Sequence, residues 1–521
     1  MNLFELKRDK MKIEYLCHSC LYIDTGDTTL VIDPWFKGGA YLGQWQLFPK
    51  PVHTHMLKDV KNILYSHGHE DHLHPESLKD LPQKARVFFP YQWRKGVKDF
   101  FYDYGFNDLT EAASFKSYSI SPTTKITYIG FALESVIVIE HKNEVLVNIN
   151  DALNSHHENV VAVFLKEIKK RWKKIDYLFS GWSGAGYFPN TVHYEGKNDD
   201  EIARIREQYF CNNFCKSIFY LQPKAAIPFA PGFVLLADER RWINKIKFPR
   251  EWIESYYKEH FDPQTTIRFH VVNSGDSFAN NQFIPYSAVR KKIIDEELDP
   301  LLEKMYPKEI EESRKRKFIQ EHEAELLLKK MTQVLNDNIK LYDIQVLKEA
   351  HFSVCVKDLK SDHFLNADFE GDSFHVTRVS EKKPDRKIII STTSVLLNYS
   401  FDHEWGGDAM TIGYGIDVDV FEELTLEQNL DIVCVRLLTR YPTASKSMMQ
   451  APLRAMGYFL RHPVMSKLAL KQKFMLRKTV NKYPFNERDH WVTYSKCELC
   501  KVCNMPELNF EFGEQLGNAK I

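Results

Sequence analysis

The amino-acid sequence predicts an α/β fold divided into several domains, and three observations lead to that prediction. The chain has 521 residues, which is too long for a single hydrophobic core. In its first half, short runs of β-branched and aromatic residues alternate with helix-like segments, as in sheets covered by helices. One of these runs, residues 62–65, leads directly into a loop that contains four histidines and an aspartate.

Composition and charge exclude several classes of protein. The counts of Lys+Arg and of Asp+Glu are both 70, so no net charge attracts nucleic acid, and we predict no nucleic-acid partner. No run of about 18 apolar residues predicts a transmembrane segment, and the first residues lack a signal-peptide pattern, so we expect a cytoplasmic protein. The cysteine count of nine is odd and favours free or metal-bound thiols over a disulfide framework. The sequence does not predict an oligomeric state.

The first predicted strand comprises residues 12–24, and a turn at residues 25–27 joins it to a second strand over residues 28–35, which contains Asp33. Cys17 and Cys20 both lie in the first strand. Because alternate residues of a strand point to opposite faces, we expect these two thiols to face opposite sides. We therefore interpret them as ordinary strand cysteines.

The loop after residues 62–65 has the spacing His67-x-His69-x-Asp71-His72. Imidazole nitrogens and carboxylate oxygens suit zinc and iron. Because residues alternate along an extended loop, His67 and His69 can face one ion while Asp71 and His72 face a second. The sequence thus predicts a site for one or two divalent metal ions, iron or zinc.

This H-x-H-x-D-H pattern resembles the metallo-β-lactamase superfamily, and the resemblance implies a metallo-β-lactamase-like αββα sandwich with a metal centre at one edge. By this resemblance His67 and His69 belong to the first metal, and Asp71 and His72 to the second. Asp151, at the end of a predicted strand pair, is expected to bridge the two ions and offset their repulsion. Its alternative role is a helix N-cap. Asp71 and Asp151 are also the candidate catalytic carboxylates.

The same resemblance implies orienting roles for His18 and Asp33, which would lie beside the metal loop. Asp33 would hold a ligand histidine by its second ring nitrogen. Its alternative role is a turn-forming aspartate before Pro34. The family's usual third histidine of the first site is missing before the strand pair. His156 and His157 are candidate substitutes, and the alternative is an incomplete first site that binds a single ion.

Five stretches extend the resemblance to the CMP-N-acetylneuraminate hydroxylase family: IDPWFKGGAYLGQW, YSHGHEDHLHPESL, FSGWSGAGYFP, QPKAAIPFAPGF and HEWGGDAMTIGYG. That family hydroxylates the N-acetyl group of a sugar nucleotide with iron and O2, and an N-terminal Rieske domain delivers the electrons. Because this sequence begins close to the first predicted strand, we expect no Rieske domain. An oxidative role then needs an external electron donor or another cluster in the chain.

The resemblance implies an iron-dependent oxygenase, a monooxygenase or hydroxylase that acts on a small polar molecule such as an amide, a sugar or a nucleotide sugar. The alternative is a hydrolase that uses metal-bound hydroxide on a phosphodiester, a lactone or an amide. The candidate substrate-binding residues are Trp182, Ser183, His193 and Trp405. Small residues at 183–186 let a ligand approach backbone amides, as in anion-binding loops, and a tight turn is the alternative.

The predicted domain organisation has four parts. They are a catalytic domain over residues 1–285, a helical linker over 286–341, a small α+β domain over 342–442 and a basic helical tail over 443–521. The linker is expected to contain one or two helices. Within it, Leu327, Leu328 and Met331 fall on one helix face, which indicates packing rather than a cofactor site.

The tail carries a second candidate metal motif, Cys497-x2-Cys500-x2-Cys503, with His490 or a ligand from outside the chain as the fourth. Three thiolates at this spacing suit zinc or an iron–sulfur cluster. A cluster would offer the electron source that an oxygenase needs. Zinc would tie down the tail.

Overall fold

The structure is a computed structural model. It describes residues 10–90, 97–131, 134–153, 158–196, 198–247, 249–287, 295–315, 317–342, 344–383, 385–403, 406–421 and 430–439, and the single positions 460, 463, 464 and 467. Several predicted site residues lie outside the described residues, namely His156, His157, Trp405, His490, Cys497, Cys500 and Cys503.

The described residues form 23 strands. In chain order they are β1 (Lys12–Cys17), β2 (Cys20–Asp24), β3 (Thr29–Ile32), β4 (Trp45–Leu47), β5 (Asn62–Leu64), β6 (Arg86–Pro90), β7 (Leu109–Ala112), β8 (Ser117–Ser119), β9 (Thr124–Phe131), β10 (Glu134–His141), β11 (Glu144–Asn150), β12 (Tyr177–Ser180), β13 (Val192–Tyr194), β14 (Ala225–Pro228), β15 (Phe233–Leu235), β16 (Arg268–Phe269), β17 (Ser277–Ala279), β18 (Gln282–Ile284), β19 (Phe352–Val356), β20 (Phe364–Glu370), β21 (Ser373–Val379), β22 (Ile388–Thr392) and β23 (Asp417–Val420).

The α-helices of the described residues are α1 (Pro75–Leu78), α2 (Val97–Asp103), α3 (Glu158–Arg171), α4 (Tyr187–Asn190), α5 (Asp199–Leu221), α6 (Ile253–His260), α7 (Asp295–Met305), α8 (Pro307–Arg314), α9 (Glu321–Asn338), α10 (Ile344–Lys348), α11 (Ser394–Asp402), α12 (Gly406–Thr411) and α13 (Leu430–Leu437). Short 3-10 helices occupy Thr54–Asp59, Asp238–Lys245, Arg250–Trp252 and Ile339–Leu341. Within the described ranges, no helix has both the length and the apolar composition needed to cross a membrane.

Two large sheets pack face to face and form the predicted αββα sandwich. The first has the strand order β18-β17-β1-β2-β3-β5-β6-β7, and the second has the order β16-β14-β12-β11-β10-β9-β8. Strand β10 shows how the layers arise, because successive side chains of a strand point to opposite faces. Ile137 and Ile139 enter the apolar layer between the sheets. Val136 and Val138 pack on the outer side, in the cluster that includes the apolar residues of α3 and α5.

A third sheet, with the order β13-β23-β22-β19-β20-β21, forms the core of the C-terminal half. Its first strand, β13, comes from within the predicted catalytic domain and pairs in parallel with β23. Helix α9 packs Leu327, Met331 and Leu335 against this sheet, whereas Leu328 is only partly buried. The described residues of the linker form three α-helices, α7, α8 and α9, rather than the one or two helices predicted.

The structure corrects the prediction for residues 12–24, which form a hairpin instead of one strand. The chain reverses at His18, whose φ is 43°, so that Cys17 and Cys20 become direct cross-strand partners. Both thiols are fully buried in the same core cluster. The expectation that they face opposite sides was therefore wrong, because the turn interrupts the alternation on which it rested.

A second difference is the 23-residue helix α5, which the sequence analysis does not predict. Its residues are buried on nearly every side between the second sheet and the C-terminal half. A helix that is buried all round has no polar face and hence no amphipathic period to detect. The missed helix matters because it lies next to the candidate site.

The packing of α9 gives a testable prediction for stability. Met331 is fully buried, so Met331→Ala should leave a cavity and lower the free energy of unfolding by about 2–5 kcal/mol. Leu326→Ala is the matched control, because Leu326 lies on the same helix with 54% of its surface exposed. Chemical denaturation followed by circular dichroism measures both. Equal effects of the two substitutions would contradict the assigned helix face.

Candidate metal centre

The histidine-rich loop begins where β5 ends at the edge of the first sheet. Ser66 anchors its start, since both its backbone N–H and its hydroxyl donate to the Asp33 carboxylate, at 2.7 Å each. The loop ends at His74, which caps α1 by accepting the backbone N–H of Ser77 at 3.2 Å. Burial lowers the pKa of His74 to about 4, so the ring is neutral. His74 therefore serves the helix and not the ligand cluster.

Three donor atoms form a first group, and they come from His67, His69 and Asp151. His67 Nε2 lies 2.7 Å from His69 Nδ1 and 3.8 Å from Asp151 Oδ2. All three donor atoms are within 4.8 Å of one another. Two imidazoles and one carboxylate thus converge on one small volume.

Hydrogen bonds around His67 indicate which ring nitrogen can serve as a metal ligand. The Ser66 hydroxyl donates its proton to the Asp33 carboxylate. The hydroxyl oxygen therefore acts as the acceptor in its contact with His67 Nδ1, which is 2.9 Å away. His67 Nδ1 then carries the ring proton. The lone pair of Nε2 consequently faces His69 and Asp151, as a metal ligand requires.

A second group is centred on His72, which is fully buried. Its Nε2 atom lies 3.2 Å from Asp71 Oδ2 and 3.2 Å from Asp151 Oδ2, yet it has no hydrogen-bond partner among the described residues. Its Nδ1 atom faces the Asp33 carboxylate and the Ser19 hydroxyl, each at 3.2 Å. The same oxygen of Asp151 therefore stands between the two groups, as a bridging carboxylate would.

The electrostatics of the second group favour a cation. Burial by itself lowers the pKa of His72, but the carboxylates of Asp71 and Asp151 outweigh it and hold that pKa well above its usual range. Burial would raise the pKa of Asp71, but the rings of His72 and His18 keep it well below its usual range. An environment that stabilises a buried imidazolium between two carboxylates also stabilises a divalent ion there.

His18 lies close enough to Asp71 and His72 to be a third ligand of this group. Its hydrogen bonds indicate another role, however. The backbone N–H of Gly232 donates to His18 Nδ1 at 3.0 Å, which places the ring proton on Nε2. That proton is donated to Asp71 Oδ2 at 2.9 Å. We therefore propose that His18 orients the Asp71 carboxylate, in line with the orienting role that the family resemblance implies.

Tyr41 is a site residue that the sequence analysis does not identify. Its hydroxyl donates to Asp71 Oδ1 at 2.5 Å, and its side chain is fully buried. Burial and the adjacent carboxylate raise the pKa of Tyr41 well above its usual range, so the phenol keeps its proton. Tyr41 thereby fixes Oδ1 of Asp71, while Oδ2, which accepts the His18 proton, lies beside His72. Its segment, GGAYLGQW, combines glycines with aromatic residues and has no period that assigns a role to one of them.

The donor atoms of the centre fit a bound metal ion. They are imidazole nitrogens and carboxylate oxygens, the ligands of iron and zinc, and the buried His72 Nε2 atom lacks any other partner within the described part of the chain. His67, His69 and Asp151 would hold one ion, and Asp71, His72 and the shared Asp151 would hold the other. His156 and His157, the predicted substitutes for a third histidine, cannot be placed, because they lie outside the described residues.

A cavity of about 370 Å³ adjoins the centre and is lined by His69, Asp71 and Asp151. Of the predicted substrate-binding residues, Ser183 lines this cavity. Trp182 is buried in the core behind the second sheet. His193 lies at the junction with the third sheet, where its Nδ1 atom is 2.6 Å from Asp199 Oδ2. Neither Trp182 nor His193 is part of the described cavity wall.

Comparison with known proteins assigns a family to the part of the chain that carries these groups. Residues 12–166 match the family model described as Beta-lactamase superfamily domain. This segment is similar to beta-lactamase superfamily domains. The domain extends from β1 into α3, so it contains His18, Asp33, the loop of residues 67–72 and Asp151. The family predicted from the H-x-H-x-D-H pattern is thereby confirmed.

The chain that carries the superfamily domain is also similar to curated hydroxylases over part of its length. It is 22% identical over 255 residues to the cytidine monophosphate-N-acetylneuraminic acid hydroxylase of Danio rerio, covering 46% of this chain and 41% of that protein. Its identity to the Cricetulus griseus protein of the same name is 37% over 82 residues, or 15% of each chain. The chain therefore spans less than half the length of these relatives. CmlA, a diiron β-hydroxylase from Streptomyces venezuelae, aligns with 15% identity and a TM-score of 0.37, over 52% of this chain and 54% of CmlA.

The contact between Tyr41 and Asp71 gives a testable prediction. Tyr41→Phe removes the hydroxyl that fixes Asp71, and removal of such an orienting partner typically weakens metal affinity about 10–100-fold. Competition titration of Zn²⁺ against a chromophoric chelator measures this change. Tyr102→Phe is the matched control, because half of the Tyr102 surface is exposed. An unchanged affinity in Tyr41→Phe would contradict the assignment of Asp71 as a ligand.

The surroundings of His193 predict a pH dependence of stability. Hydrogen bonds to Asp199 and Asp417, together with the nearby Asp419, raise the pKa of His193 to about 10. A group whose pKa is raised on folding stabilises the fold fully below its unfolded pKa, near 6.5, and loses that contribution as the pH rises toward 10. His193→Gln should therefore flatten the decline of the melting temperature between pH 6.5 and 10. A slope equal to that of the wild type would disprove this coupling.

Proposed function

We propose that this chain is a metal-dependent oxygenase that hydroxylates a small polar molecule, with iron as its metal. The observation that carries the proposal is the donor set of His67, His69 and Asp151 beside a cavity. Two histidines and one carboxylate with open coordination positions are typical of non-haem iron(II) oxygenases. The similarity to hydroxylases named for a sugar nucleotide supports the same reaction class.

The bound iron would supply the chemistry of O2 activation, and the residues of the chain perform the remaining tasks. His67, His69 and Asp151 would hold the first ion. Asp33 and Ser66 fix the ring of His67, so that its ligand nitrogen needs no reorientation. The cavity receives the substrate next to these ligands and limits its contact with bulk water.

Hydroxylation by O2 consumes two electrons and two protons, with one oxygen atom entering the product and the other leaving as water. The proposal therefore includes an external one-electron donor, such as a ferredoxin-type protein. A cluster at Cys497, Cys500 and Cys503 is the second source of electrons that the sequence suggests. These cysteines lie outside the described residues, and the substrate is proposed only as an amide, a sugar or a nucleotide sugar.

A hydrolase is the competing function, because the same donor set is compatible with it. Two histidines and one carboxylate also form catalytic zinc sites, in which the metal generates a hydroxide nucleophile. Asp151 would then position the attacking water. The identity of the bound metal distinguishes the two functions.

The test is a metal and spectroscopic analysis of protein purified without oxygen. Iron, zinc and acid-labile sulfide are measured together with optical and EPR spectra. The double variant His67→Ala/His69→Ala should lose the iron of the first site. His55→Ala is the matched control, because His55 is exposed in the same domain and should leave the metal content unchanged. Cys500→Ser tests the tail separately.

Iron that is lost only in the double variant, together with substrate-dependent O2 uptake, supports the oxygenase. Sulfide and an iron–sulfur spectrum that disappear only in Cys500→Ser place the electron source in the tail. Zinc in the histidine site and no O2 uptake would overturn the oxygenase and favour hydrolysis of esters, amides or phosphodiesters.

A further inference from the structure

Arg206 is a buried cation in the wall of the cavity that adjoins the metal centre. It lies on helix α5, and only 5% of its surface is exposed. Its guanidinium group rests over the ring of Phe210, one helical turn further on, with 4.8 Å between Cζ and the ring centroid. This stacking fixes the plane of the guanidinium.

The hydrogen bonds of Arg206 are incomplete. Its Nη2 atom donates to the Ala185 carbonyl oxygen at 2.6 Å. Its Nε and Nη1 atoms are buried and have no hydrogen-bond partner within the described part of the chain. Burying a charged group with unused donors is costly, and such donors in a cavity wall indicate a missing acceptor. An oxyanion of a ligand is the acceptor that a guanidinium binds best.

The loop of residues 183–186 is shaped to lie against this arginine. A Cβ atom on Gly184 would come within 2.8 Å of Arg206 Cζ and 2.3 Å of Phe210 Cε2, so the backbone approach requires glycine. Ser183 on the same loop donates its hydroxyl to the buried Glu207. The sequence suggests that backbone amides of this loop bind an anion. In the structure, the guanidinium group of Arg206 lies directly against the loop.

The charges of the cavity wall are consistent with an anionic ligand. The carboxylates of Asp71 and Asp151 belong to the proposed metal centre, and bound cations would neutralise them. Of the other charged side chains in this wall, the guanidinium groups of Arg206 and Arg436 outnumber the single carboxylate of Glu134. With metals bound, the cavity therefore attracts negative charge.

We propose that Arg206 forms an oxyanion-binding subsite in this cavity and that the substrate carries a phosphate or carboxylate group, which Arg206 binds while the reacting part of the molecule faces the metal centre. The assignment of this ligand as substrate rests on the proposed function, whereas the anion site itself does not. Because the Nε and Nη1 donors are buried, an anion can reach them only if the residues that cover them shift.

The test measures stabilisation of the full-length protein by anions, because a ligand that binds only the folded state raises the melting temperature. The probes are inorganic phosphate and acetate, each compared with potassium chloride at the same ionic strength. Arg206→Gln removes the charge, and Arg206→Lys keeps the charge without the guanidinium. Arg204→Gln is the matched control, because Arg204 lies on the same helix, is partly exposed and pairs with Asp200 at 2.8 Å.

We expect one of the two anions to stabilise the wild type and Arg204→Gln, with at least a tenfold weaker apparent affinity in Arg206→Gln and an intermediate loss in Arg206→Lys. The anion that stabilises more identifies phosphate or carboxylate as the ligand class. Circular dichroism confirms that each variant is folded, and equilibrium dialysis with radiolabelled phosphate or acetate measures binding directly.

The variant His67→Ala/His69→Ala separates this proposal from the proposed function. Anion binding that survives in this double variant but not in Arg206→Gln supports the subsite, even if the metal proves to be zinc. Binding that is lost in the double variant and retained in Arg206→Gln would place the anion on the metal and overturn the subsite. No stabilisation by either anion would also overturn it.

Discussion

One buried carboxylate, Asp33, joins the two sheets at the edge where the candidate ligands lie. It follows β3 of the first sheet, and it accepts hydrogen bonds from the backbone and the hydroxyl of Ser66 on a neighbouring connection. Asn150, the last residue of β11 in the second sheet, donates its side-chain amide to the same carboxylate. His72 Nδ1 lies 3.2 Å away. Because these partners converge on one residue, the register of the sandwich and the orientation of the ligand rings are coupled.

This coupling explains how the second sheet contributes to the centre. Asn150 has a positive φ of 53°, which turns the chain as β11 ends, so that Asn150 faces Asp33 while Asp151 faces His67 and His72. Asn150 thus stabilises the contact between the two sheets, and the adjacent Asp151 is a proposed metal ligand. Ligands held in this way by their neighbours lose little freedom when a metal binds, which favours tight and selective binding.

The sequence predicts the α/β fold class and the metal loop because both depend on local patterns, whereas the sandwich is implied by the resemblance to the metallo-β-lactamase superfamily. Alternation along single strands and the spacing from His67 to His72 are visible within a few residues. Tyr41, Ser66 and Arg206 lack such a signal, since each acquires its role from a partner that folding brings near. Tyr41 reaches Asp71 across 30 positions, and Arg206 lies in a helix that is buried on nearly all sides. Long-range contacts of this kind have no period in the sequence.

The C-terminal half contacts the segment that carries Tyr41 and contributes residues to the cavity wall. Gln44 Nε2 donates to the Tyr41 carbonyl at 2.9 Å and to the Ala409 carbonyl at 2.8 Å, so the segment that carries Tyr41 is attached to helix α12. Gly413 approaches this segment so closely that a Cβ atom there would lie 2.8 Å from the Tyr41 Cβ. Thr411 lines the cavity next to this contact. The position of Tyr41, and through it the Asp71 carboxylate, therefore depends on the docked C-terminal half. In the proposed function, substrate selection and metal binding would then depend on both halves together.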